Sequence, residues 1–157
     1  MNLKNAFFVA ALAALSTQAH AGEVRTSGVD ARRLHIALLD AGADMRIGGD
    51  PSYVEEQVRT YNLMCTLHSG DSYDPPQANT YDCEFDINGG NRTRSVDGYQ
   101  AQDLFEALEQ NKLVADCGMG KCGLPVQQIE CNRYTSTYSR TTDWNCTLRA
   151  DSSHIAE

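Results

Sequence analysis

Apolar residues return at helical spacing in two stretches: Ala31, Leu34, Leu38 and Ala41 in the first half of the chain, and Ala101, Leu104, Phe105 and Leu108 in the second. Each stretch opens on a capping pattern, Ser27-x-x-Asp30 and Asp97-x-x-Gln100, and Gly42 stands where a stop is needed. Beyond each predicted helix comes an irregular stretch, and then the period drops to two. Tyr61, Leu63, Cys65 and Leu67 alternate with Asn62, Met64 and Thr66, as do Tyr81, Cys83, Phe85 and Ile87 with Asp82, Glu84 and Asp86. The second half has a matching pair of strands, one with Ile129 and Cys131 and the other with Trp144, Cys146 and Leu148. Gly70, Pro75 and Pro76 mark one strand-to-strand turn, and residues 135–143 mark the other.

The order helix, strand, strand therefore occurs twice, over residues 27–90 and 95–150, with residues 88–97 as the link. The offset between matched positions falls from 70 at Leu34 and Leu104 to 66 at Cys65 and Cys131 and 63 at Cys83 and Cys146, as deletions in the second copy would cause. The expected fold is α+β, a tandem duplication of a helix and a disulfide-linked β-hairpin, with both helices on an antiparallel sheet. Cysteines on the apolar faces of neighbouring strands predict Cys65–Cys83 and Cys131–Cys146, which leaves Cys117–Cys122 to close a small loop. A zinc site is the competing use of six cysteines, but Cys117-x4-Cys122 departs from the usual close ligand pairs and has no histidine nearby.

Residues 1–21 read as a secretory leader, with Lys4, an apolar run from Ala6 to Leu15, and small residues at Ala19 and Ala21 for cleavage. The expected mature chain, residues 22–157, is a single domain beginning at Gly22, periplasmic or secreted, where disulfides persist. The leader carries one of the 13 basic residues and none of the 21 acidic ones, so the mature charge is 12 − 21 = −9. That balance opposes nucleic acid as a partner and suits a basic one.

Catalytic patterns are sparse. His35, His68 and His154 lack a neighbouring nucleophile motif, with His35 expected at a surface or half-buried position of the first helix and His68 in a turn. Asp82, Glu84 and Asp86 alternate as the wet face of a strand rather than as a catalytic pair. No cofactor, metal or membrane span is expected. The segment with most character is Cys117-Gly118-Met119-Gly120-Lys121-Cys122, whose glycines allow a tight turn that projects Met119 and Lys121. A second candidate contact set is Tyr73, Tyr134 and Tyr138, placed by the pattern in the two hairpin turns.

Residues 117–122 resemble the cysteine-bounded loop that periplasmic lysozyme inhibitors and some secreted protease inhibitors present to their enzymes. The histidine that one such lysozyme-inhibitor loop carries has no counterpart here. The resemblance implies a non-catalytic exported protein that binds a protein partner, such as a basic extracytoplasmic hydrolase. The alternatives are a small secreted hydrolase using carboxylates and a structural envelope protein.

Overall fold

The computed structural model describes residues 21–71, 76–117, 120–123 and 125–151. The first half runs β1 (Ala21–Ser27), α1 (Gly28–Asp40), β2 (Met45–Asp50), β3 (Tyr53–His68) and β4 (Thr80–Ile87). After a single turn of 3-10 helix (Asn88–Gly90) the second half follows with β5 (Arg92–Asp97), α2 (Gly98–Gln110), β6 (Val114–Asp116), β7 (Gly120–Gly123), β8 (Val126–Ser136) and β9 (Thr142–Asp151). All pairings are antiparallel. The main path of the sheet is β1-β9-β8-β3-β4-β5, with β2 and the β6–β7 hairpin attached to β3.

The two helices lie on one face of this sheet and touch each other. Their apolar stripes (Ala31, Leu34, Ala37, Leu38; Ala101, Leu104, Phe105, Ala107, Leu108) bury against Val58, Leu63, Phe85, Ile129 and Leu148. The α+β reading with helices on an antiparallel sheet holds. The connections cross, however: α1 packs on β9 and β8 of the other half, and α2 packs on β4 and β3. Likewise β1 pairs with β9, and β5 with β4, so each half lends its first strand and helix to the hairpin of the other.

Both helix starts fall where the sequence puts them, with Ser27 and Asp97 as N-caps, but neither side chain makes a capping hydrogen bond. Gln100 instead donates across the helix pair to the Asp40 carbonyl. Gly42 does stop α1. The Ala43 and Gly42 amides donate to the Leu38 and Leu39 carbonyls, and Gly42 takes φ 89°. The same closure ends α2, where the Leu113 and Lys112 amides donate to Leu108 and Glu109 with Lys112 at φ 58°.

Four expectations need correction. The irregular stretch after the first helix is β2 and the first half of β3, and residues 92–97 of the supposed link form β5 on the β4 edge. Tyr61 does not share a face with Leu63 and Cys65, because a bulge at Asn62, φ 53°, shifts the alternation by one residue. His35 is neither at the surface nor half-buried: it is 1% exposed, with its ring edge against Trp144 at 5.0 Å.

The disulfides are Cys65–Cys83, Cys117–Cys122 and Cys131–Cys146, as the hairpin argument predicts. The first and third join directly opposed residues of β3–β4 and β8–β9 under the helices, with Cα atoms 4.0 Å apart. Three such bonds point to an oxidising, extracytoplasmic environment. Among the described residues no helix is long and apolar enough to cross a membrane.

Candidate functional site

Strand alternation sends every second side chain away from the helices, and among the described residues nothing packs on that second face. Its composition follows from the register. One row across β1, β9, β8 and β3 reads Glu23, Arg149, Gln128, Tyr61; the next reads Arg25, Thr147, Glu130, Arg59; a third reads Ser27, Asn145, Asn132, Gln57. Beyond them stand Asp143, Tyr134 and Glu55. On the far side of β3 the face continues with Met64, Thr66 and His68, then Asp82, Glu84 and Asp86 of β4 and Thr93, Ser95 and Asp97 of β5.

The face is held by cross-strand bonds. Arg59 donates to Glu130 through Nε and a terminal nitrogen, at 3.0 and 2.7 Å, and Gln57 donates to Glu130 and Asn132 at 3.2 Å each. Arg149 donates to Gln128 at 3.2 Å, and Asn62 and Thr93 both donate to Asp86, whose carboxyl they hold below the usual range. These pairs are half-exposed, so each adds little stability, but together they fix rotamers over a wide area. A surface ordered before binding loses less entropy when a partner arrives.

Lys121 lies on β7, where its ammonium donates to Glu109 of α2 at 3.0 Å, and that carboxylate raises its pKa. It is therefore a tethered cation rather than a free probe. Gly120 lies against β3 so closely that a Cβ would come 2.0 Å from the Leu67 carbonyl oxygen, so the loop needs glycine there. Gly118, Met119 and Tyr73 lie outside the described residues. Tyr134 is within β8 rather than in the turn, its ring 6.2 Å from that of Tyr53; burial and the Glu55 carboxylate raise its hydroxyl pKa. Tyr138 is in the β8–β9 turn and 82% exposed.

The described members of the two candidate sets are not brought together. Gly120 pairs with His68 at one end of β3, and Tyr134 pairs with Glu55 near the other, on the order of 40 Å away along the strand. The uncovered face runs between them. His68 is the last residue of β3, not a turn residue, and its Nε2 is 2.6 Å from Asp82. No group of three or more His, Cys, Asp or Glu able to hold a metal occurs among the described residues.

Gln57, Arg59, Glu130, Asn132 and Asn145 were not singled out from the sequence. Their signal was present in the alternation with Val58, Thr60, Ile129, Cys131 and Cys146, which defines an outward set on each strand. Comparison with protein-family models, curated proteins and solved structures finds no match.

Proposed function

We propose that this chain is an exported, non-catalytic binding protein that engages an extracytoplasmic protein and inhibits a hydrolase such as a lysozyme or a protease. The uncovered sheet face carries the reading: it spans six strands, is pre-ordered by cross-strand ion pairs, and rests on two disulfides. Its β4–β5 side holds Asp82, Glu84, Asp86 and Asp97, and with the mature charge of −9 this suits a basic partner, whose encounter it would accelerate. At the His68 end of this face Cys122 stands opposite Thr66, while the tethered Lys121 stands opposite the inward Leu67 and turns to α2 on the helix side.

The leader is taken to be cut after Ala21, which removes the first residue of β1 and leaves Gly22 to Ser27 paired with β9. The two halves are read as copies of one unit. In support, α1 and α2 each have thirteen residues and lie seventy positions apart, as do Gly28 (φ 65°) and Gly98 (φ 61°), which open them. The exchange of first strand and helix between halves is what one unit paired about a local two-fold axis gives.

Affinity capture with the disulfide-intact protein from native periplasm or culture fluid, followed by mass spectrometry and an assay of the captured enzyme, tests the function. A saturable partner whose activity falls on binding supports it. A second reading, a small hydrolase using carboxylates, draws on the His68–Asp82 pair. Turnover of peptidoglycan, peptides or esters that is abolished by Asp82→Asn or His68→Ala would put that reading first.

A further inference from the structure

One concavity on the uncovered face, about 390 Å³, is lined by Arg25, Ser27, Asn132, Tyr134, Asn145 and Thr147. Its floor is a line of short polar side chains across three strands, Ser27 opposite Asn145 and Asn145 opposite Asn132, and Gln57 of β3 continues the row beside it. Asparagine is depleted in strands, and an Asn–Asn pair lacks the packing that stabilises cross-strand neighbours. Residues that break a local rule without structural gain mark sites kept for another purpose.

The hydrogen-bonding inventory is incomplete. Gln57 is committed to Glu130 and Asn132, but among the described residues the Asn132 amide nitrogen, both ends of the Asn145 amide and the Ser27 hydroxyl have no side-chain partner. Together they offer donors and acceptors in one line. The charges at its border are neutralised locally, Arg25 by Glu23 at 2.6 Å and Arg59 by Glu130 at 2.7 Å. At the other border Tyr134 leans on Tyr53 and forms an aromatic wall.

An uncharged ligand that is rich in groups able both to donate and to accept, with an apolar face to lay on a tyrosine ring, matches this surface. We infer that the concavity between Ser27 and Tyr134 is a binding subsite for a neutral oligosaccharide. Charged polymers fit less well, because no unpaired cation or anion among the named lining residues aims into it. The inference goes beyond the protein-binding proposal and stands or falls separately from it.

The test is an NMR titration of the disulfide-intact protein with three uncharged oligosaccharides, chitohexaose, cellohexaose and maltohexaose. The expected result is saturable shifts of the Asn132 and Asn145 side-chain amides and the Tyr134 ring with at least one sugar. Changing Asn132→Ala and Asn145→Ala together should weaken that binding by about tenfold or more. Because the side chains are at the surface, the thermal midpoint should hold; Asn145→Ser serves if the double variant does not fold. Tyr99→Ala on the helix side should bind as the parent does. No saturable shift with any of the three sugars, or equal affinity in the asparagine variants, would overturn the inference. So would shifts of these amides that arise only with a captured protein partner.

Discussion

Lys112 holds a backbone conformation that glycine holds at the matching place in the first half. Gly42 and Lys112 both follow a helix, both donate back in the same closure, and both have positive φ, 89° and 58°. A side chain in the left-handed region costs energy that glycine avoids, so Lys112→Gly should stabilise the fold by about 0.5–1 kcal/mol in urea unfolding. Gly42→Ala should do the opposite, since its Cβ would also strike the Arg94 guanidinium, 2.4 Å away. His35 gives a second prediction. Its two ring nitrogens are buried without partners, and burial lowers its pKa below the ordinary 6.5, helped by Arg133 and opposed by Glu56. The unfolded chain then takes up a proton near pH 6.5 while the folded chain resists it, so this residue's contribution to stability is lost as pH falls below that value. His35→Phe should lose less stability than the parent between about pH 7.5 and about pH 5, measured by urea midpoints. The full burial of His35 was not legible, because an imidazole beside Leu34 reads as a surface or half-buried residue and nothing in the sequence shows that Trp144 covers it.

At the scale of elements, β4, β8, β9 and the second half of β3 were readable, and the first half of β3 and the edge strands were not. β3, β4, β8 and β9 each alternate because one side meets the helices. All six residues of β2 are exposed, so no apolar period records it, and β5 shows only Val96 partly buried. The two hairpin disulfides followed directly from the alternation, since two cysteines on the inner face of adjacent strands can reach each other, and Cys117–Cys122 followed as the remaining pair. Removing Cys131–Cys146 by a double change to alanine should cost about 2–5 kcal/mol. Removing Cys117–Cys122 should cost about 1 kcal/mol less, because it closes a loop of separation 5 rather than 15 and loop entropy grows with the logarithm of length. Chemical denaturation of the two variants side by side measures that difference.

For the whole molecule, the exchange of strands and helices between halves was invisible in the sequence, because the period of a helix is the same whichever hairpin it covers. The bulge at Asn62 was equally hidden, yet it decides that Tyr61 faces outward while Leu63 turns inward. The candidate loop and the tyrosine set were legible as places of unusual composition, but their separation along β3 was not. The uncovered face, which exists because both helices go to the same side, carries Tyr134, whereas Lys121 stands on the helix side beside Glu109. Side-chain oxidation footprinting of the protein with its captured partner tests this most directly, comparing Met64, Tyr53 and Tyr134 on the sheet face with Val29, Ile36 and Tyr99 on the helices. Protection of the first set with the second unchanged is the predicted result; protection of the helix residues, with Met64 and Tyr134 still oxidised as in the free protein, would contradict it.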